Sequence, residues 1–229
     1  MKRVQAVLLA SCLSLAVGAV ARAQMGMNFF KRPAMSDFFK PVVGGGAVYE
    51  TIEANSNSPK STMEMLVVGR EMVGLKEGYW LEFSVFDKAV NGTIYSKVLI
   101  TKDDFEMHRT IFQFPGAPAM EMPMRSNARD SAKIGQDLDK WAQVGAETVT
   151  VPAGTFVCQH WKKNDGKDEV WINDKIVPFS MVKEVGSGSN QVLVKVITDA
   201  KDHITGPVTP FDPKVFQQMM MNQGARGRQ

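Results

Sequence analysis

The chain is predicted to fold as a mainly β protein, a strongly curved antiparallel sheet or unclosed barrel of about nine to eleven strands with a few short helices. Three observations point there. Glu147 to Thr205 is a ladder of short alternating segments cut by turn residues. Two dipeptides, Asn91-Gly92 and Asp165-Gly166, carry the strongest short-range hairpin signal. Long helical periodicity is missing between Gly44 and Thr205.

The elements follow in order. Lys2 and Arg3, an uncharged and mostly apolar stretch from Val4 to Val20, and Ala21-Arg22-Ala23 have the layout of a secretory signal cleaved after Ala23. Leu9-Ala10-Ser11-Cys12 offers a competing lipoprotein signal with lipidation at Cys12. It stands second, because Leu13 to Val20 continues the apolar run where a lipoprotein would turn polar. Residues 24–43 form an N-terminal arm or short helix, opened by Pro33 and closed by Pro41, with Met35, Phe38 and Phe39 on one face.

Residues 44–206 make up the curved β domain. Strands are expected over Ala47–Ala54, Ser61–Val68 and Glu106–Phe114. A two-residue turn at Asn91-Gly92 would pair Ala89 with Ile94, Val85 with Val98 and Phe83 with Ile100. A turn at Asp165-Gly166 would set Lys163 opposite Asp168, Lys162 opposite Glu169, His160 opposite Trp171 and Trp161 opposite Val170. Gly154 marks a tight turn, and the Gly186–Asn190 turn joins Met181–Val185 to Gln191–Asp199. Pro115 to Val144 reads as a long Met-rich loop with a turn or two of helix near Ala128–Asp139. Residues 207–229 form a partly disordered tail with a short helix over Pro213–Asn222.

Charge excludes one class of function. The chain has 27 basic and 24 acidic residues, and loss of Lys2, Arg3 and Arg22 with the signal leaves 24 of each. The basic excess belongs to the targeting peptide, so there is no nucleic-acid footprint. Cys158 remains as a lone cysteine after cleavage, read as a small buried hydrophobe. No later stretch is long enough to span a membrane, so no integral membrane segment is expected after cleavage.

Residues 145–156, running Gly145-Ala146-Glu147-Thr148-Val149-Thr150-Val151-Pro152-Ala153-Gly154-Thr155-Phe156, together with Cys158-x-His160, Val170-Trp171-Ile172, Val177-Pro178 and Met181-Val182-Lys183-Glu184, resemble a group of exported bacterial proteins. Phe39-Lys40-Pro41 and Ala47-x-Tyr49-Glu50 add to the likeness. At fold level such proteins resemble the periplasmic lipoprotein-localisation factors. That resemblance implies a half-barrel sheet wrapped round a helical plug and a hydrophobic cavity, in the periplasm or outside the cell. It carries over no functional residue.

No catalytic constellation is legible. His108, His160 and His203 are scattered, and neither a His-Glu-x-x-His nor a Cys-x-x-Cys occurs. Gly44-Gly45-Gly46 lacks the Lys-Ser/Thr of a phosphate loop, and no Gly-x-Ser-x-Gly is present. The expectation is a non-catalytic envelope protein with neither cofactor nor metal, holding a lipid, acyl chain or apolar peptide. Trp80, Trp161 and Trp171 are the aromatic candidates for contact, with Met120, Met122 and Met124 as a flexible apolar lid. Two other readings stay open. The three methionines could offer soft thioethers to Cu(I), or an exposed sheet edge or the tail could dock an envelope partner.

Overall fold

The structure is a computed structural model and describes residues 38–53, 60–87, 91–123, 141–186, 188–214 and 216–217. The signal, residues 24–37 of the arm, the helix near Ala128–Asp139, Met124 and the end of the tail lie outside the described residues.

Twelve strands form one sheet. They are β1 (Gly46–Glu53), β2 (Ser61–Val73), β3 (Lys76–Asp87), β4 (Gly92–Thr101), β5 (Met107–Gln113), β6 (Ala119–Met122), β7 (Trp141–Val151), β8 (Gly154–Lys163), β9 (Glu169–Ile172), β10 (Met181–Val185), β11 (Ser189–Ile197) and β12 (Val208–Pro210). Their spatial order is β12-β6-β5-β4-β3-β2-β1-β11-β10-β9-β8-β7. Two antiparallel meanders, β1–β6 and β7–β11, are thus sewn together where β1 pairs with β11. The sheet is curved and unclosed, with β12 parallel to β6 at one margin and β7 at the other.

The curvature has a local cause. Register shifts interrupt five pairings, at Val48/Tyr49, Val67/Gly69, Leu99/Ile100, Gln143/Gly145 and Met181/Lys183. Each irregularity of this kind bends its strand and adds right-handed twist. The sum shows in one bond: Ala153 N–H, in the turn between β7 and β8, donates to the Leu193 carbonyl of β11 at 3.3 Å. Strands that stand three and four places apart in the sheet have been curled into contact.

The second hairpin forms in the expected register, with Gln159↔Ile172, His160↔Trp171, Trp161↔Val170 and Lys162↔Glu169. Its ion pairs are Lys162–Glu169 at 2.8 Å and Lys163–Asp168 at 3.1 Å. The first hairpin differs. Asp87 meets Gly92, Val85 meets Ile94, Leu81 meets Val98 and Tyr79 meets Ile100. The connection has four residues, and Asn91 is its last, at φ 48°. The register slips by four, an even number, so every side chain keeps its expected face and hydrophobic pattern cannot tell the two registers apart.

Two stretches expected as loop or tail contain strands. β6 and the first four residues of β7 fall inside 115–144, and β12 falls in the tail. β2 also runs five residues past Val68. After β12, Asp212 caps a helical start: its carboxylate accepts the Lys214 N–H at 2.8 Å, with Pro213 at the first helical position.

The main core lies on the face that carries Tyr49, Met63, Met65, Leu81, Phe83, Val98 and Leu193, called the inner face here. Tyr49 is fully buried, donates its hydroxyl to the Met181 carbonyl at 3.0 Å, and has its pKa pushed up by burial. One end of this face is plugged by rings. Phe39 lies 5.2 Å from Phe179, 5.3 Å from Phe105 and 6.3 Å from Tyr79, centroid to centroid. Residues 38–43 are an extended arm rather than a helix, held by Lys40 N–H to the Pro178 carbonyl at 2.7 Å. The Val177-Pro178 bond is cis.

The arm enters β1 through Gly46, where a Cβ would stand 2.7 Å from the Met65 carbonyl oxygen and 2.6 Å from Leu66 Cδ2. Because the first of these is backbone, Gly46→Ala is expected to destabilise by about 1–3 kcal/mol. Urea unfolding of the variant checks this; an unchanged midpoint would contradict so close an approach.

A second cluster, Trp80, Leu99, Ile111, Ala119 and Ile204, sits on the outer face. Ile204 arrives from a strap, residues 198–207, that runs from β11 to β12. Nearby, Lys76 pairs with Asp104, tying the turn after β2 to the turn after β4. Partial burial works against the Asp104 carboxylate, but hydrogen bonds from Lys76, Thr101 and the Glu106 N–H prevail and hold its pKa at about 2. A depressed carboxylate stabilises the fold above its ordinary value, 3.8, and the contribution fades as pH falls toward 2. The melting-temperature gap between wild type and Asp104→Ala should therefore be open at neutral pH and close across that window. A gap independent of pH would contradict the assignment.

Candidate functional site

One cross-strand row organises the inner face near β7–β11. Trp161 of β8 is opposite Val170 of β9, Val170 opposite Glu184 of β10, Glu184 opposite Gln191 of β11, and Gln191 opposite Thr51 of β1. Thr51 is two residues beyond Tyr49 and so shares its face. Trp141 joins the row diagonally, two residues before Gln143, which stands opposite Trp161. Phe38 packs on Trp161 edge to face at 6.0 Å.

This row mixes apolar bulk with buried polarity. Thr51, Glu184 and Gln191 are all buried. Three buried polar atoms among the described residues have no hydrogen-bond partner: Trp141 Nε1, Trp161 Nε1 and Gln191 Oε1. Buried polar groups are almost always paired, so three orphans on one face call for a physical explanation. All three side chains stand on the inner face by register, Trp141 and Trp161 on adjacent strands and Gln191 three strands from Trp161.

The tryptophans singled out from the sequence do not converge. Trp80 and Trp171 stand by register on the face opposite Trp161, and both indoles are satisfied, although Trp171 is buried with Cys158, Val149 and Val151 as part of the main core cluster. Trp80 donates to Glu71 at 2.9 Å, with Lys97 Nζ and the Arg109 guanidinium each 5.2 Å from its ring. Trp171 donates to Glu147 at 2.7 Å and lies between the stacked His160 ring, 4.4 Å away, and Lys183 Nζ at 4.5 Å. Trp161 alone of the three shares the face of Tyr49. Met120 and Met122 also stand on the inner face by register, at the opposite margin of the sheet. They pack with Phe112, Phe114, Phe211 and Phe216, and Met120 is 2% exposed, which is a packing role rather than a lid.

The histidines serve separate neighbourhoods. His108 meets Thr101 at 3.0 Å, His160 meets Glu169 at 2.8 Å and His203 meets Glu82 at 2.6 Å. No group of three His, Cys, Asp or Glu side chains among the described residues could hold a metal ion. Cys158 is buried, and desolvation with the nearby Glu147 charge pushes its thiol up to about 11. A thiol so far above neutrality is a poor nucleophile.

Sequence reasoning missed Trp141 and Gln191. A signal for Gln191 was present: it has the parity of Leu193, so a polar side chain occupies a core position of β11. Trp141 was hidden in the stretch read as loop.

No family model and no curated protein matches this chain. Among solved structures, a candidate lipoprotein from Parabacteroides distasonis is 14% identical with a TM-score of 0.36, covering 69% of this chain and 97% of its own. A candidate exported protein with a YmcC-like fold from Bacteroides fragilis is 12% identical with a TM-score of 0.35, covering 69% and 98%. No helix among the described residues is long and apolar enough to cross a membrane.

Proposed function

We propose that this chain is an exported, non-catalytic protein of the bacterial cell envelope that holds a hydrophobic molecule, such as a lipid, acyl chain or apolar peptide, on the inner face of its curved sheet. The observation that carries this reading is the cross-strand row Trp161, Val170, Glu184, Gln191 and Thr51, where apolar bulk meets buried polar atoms that have no hydrogen-bond partner among the described residues. Trp141 and Trp161 stand at one flank of that face and Met120 and Met122 at its far margin. Apolar surface withdrawn from water there would drive capture at about 25 cal/mol per Å². The layout of residues 1–23 supports export.

Titration with the apolar fluorophore N-phenyl-naphthylamine tests it. Saturable binding is expected, weakened about tenfold by Trp161→Ala, which removes a large aromatic contact. Linear, non-saturable partitioning in wild type would overturn the reading. A second reading, docking of an envelope partner, draws on the open edge of β7, where Val144 is 59% exposed. Co-purification of a partner that is lost on Thr148→Pro would favour it.

A further inference from the structure

Two of the three unpartnered atoms of the inner face stand side by side. The Trp141 and Trp161 rings are half-buried, and each indole N–H is buried without a hydrogen-bond partner. An indole nitrogen only donates, so each needs an acceptor. The two residues are diagonal neighbours on one face of adjacent strands, roughly 7–8 Å apart at that spacing. Gln143 and Gln159 beside them share a hydrogen bond with each other. Trp80 and Trp171, by contrast, already donate to Glu71 and Glu147.

The chain itself passes within reach. Phe38 packs on Trp161 edge to face at 6.0 Å, and its carbonyl accepts the Ser180 hydroxyl at 3.2 Å. Residues 24–37, which cleavage after Ala23 leaves ahead of Phe38, therefore join the fold beside the Trp161 ring. At roughly 3.3–3.6 Å per extended residue, the few residues upstream of Phe38 suffice to cross both rings. Met25, Met27, Phe29, Phe30 and Met35 supply apolar side chains, and methionine adapts to an irregular surface. Every residue also brings a backbone carbonyl. Tethering at Phe38 gives the segment an effective concentration on the order of millimolar, so weak contacts are enough to seat it.

We propose that residues 24–37 fold back over the Trp141–Trp161 flank, laying methionine and phenylalanine side chains on the two rings and giving backbone carbonyls to the two indole N–H groups. The chain thus carries its own occupant for one flank of the inner face. The contact needs no ligand; only the corollary that a bound hydrophobic molecule displaces it rests on the carrier reading above.

Trypsin reads the contact through Lys31, because Pro33 shields Arg32 from cleavage. In the chain that begins at Gln24, the Lys31–Arg32 bond should be cut about tenfold more slowly than in a free peptide of residues 24–37, since cleavage follows the undocked fraction. Trp141→Phe with Trp161→Phe keeps aromatic bulk, removes both donors and should restore most of that rate. In protein carrying ¹⁵N-labelled tryptophan, Phe29→Ser with Phe30→Ser should move the Trp141 and Trp161 indole signals upfield and leave that of Trp80 in place. Cleavage at the free-peptide rate with unmoved indole signals would overturn the assignment. So would protection that grows with protein concentration, because a second copy would then be the cover. Saturable uptake of N-phenyl-naphthylamine by protein cut at the free-peptide rate keeps the carrier reading and removes the arm contact. A protected Lys31 in protein that takes up no probe does the reverse. The wild-type rate against the peptide decides the matter even if a variant fails to fold.

Discussion

Phe179→Ala is expected to remove about 3–5 kcal/mol of stability, the usual cost of emptying a buried aromatic site. Phe179 is fully buried and forms the middle of the ring plug, 5.2 Å from Phe39 and 5.9 Å from Phe105. Its neighbours cannot easily collapse into the vacancy. Phe39 belongs to an arm held by backbone hydrogen bonds, and Ser180, next in the chain, donates its hydroxyl to the Phe38 carbonyl at 3.2 Å. A loss of that size is a large share of the 5–15 kcal/mol typical of a folded domain. Urea titration should show a lower midpoint with little change in slope. Val157→Ala, at a position 67% exposed, should stay within about 0.5 kcal/mol. A loss below about 1 kcal/mol for Phe179→Ala would mean that the plug is loosely packed.

Glu82→Ala should also be severe, by about 2–4 kcal/mol, because it strips the acceptor from several donors at once. The Glu82 side chain is 1% exposed on the outer face beneath the strap. It accepts from the His203 N–H at 3.1 Å, the Ile204 N–H at 3.3 Å and His203 Nδ1 at 2.6 Å. Tyr95 stacks on the same imidazole at 4.9 Å, and Lys97 pairs with Asp202 beside it. Glu82→Gln keeps an acceptor of nearly the same shape and should cost far less. Amide hydrogen exchange at His203 reads the effect directly, fast in the alanine variant and slow in wild type, whereas the Ile204 N–H keeps a second acceptor in Asp202 at 2.9 Å. Equal protection in both would contradict the clamp.

The two carboxyl groups act with opposite sign in acid. Burial raises the Glu82 pKa above its ordinary 4.5, with the bond from His203 opposing it. The folded state then takes up this proton before the unfolded chain does, so this group favours folding as pH falls toward 4.5. Asp104 behaves in the reverse manner at lower pH.

Legibility followed the range of the forces involved. The Asp165-Gly166 hairpin was readable because its turn and both cross-strand ion pairs agree on one register. At Asn91-Gly92 the turn dipeptide stood alone against a pattern that tolerates even slips, and the pairing of β3 with β4 settled four residues away. The strands β6 and β12, of four and three residues, are too short to carry an alternation and exist because each finds the other. At the site, the pairing of Trp161 with Val170 was readable, but both faces of that hairpin hold an aromatic residue and its sequence does not say which of them joins the face of Tyr49. That Trp161 shares a row with Gln191, thirty residues away in the chain and three strands across the sheet, depends on the shift at Met181/Lys183 and on the joining of two meanders. Neither has a local signature.

Native mass spectrometry of the protein recovered from its own envelope tests the central claim most directly. A mature chain carrying one non-covalent hydrophobic molecule, released when collision energy is raised, is expected. A population at the bare chain mass alone, in protein that also fails to take up N-phenyl-naphthylamine, would contradict it.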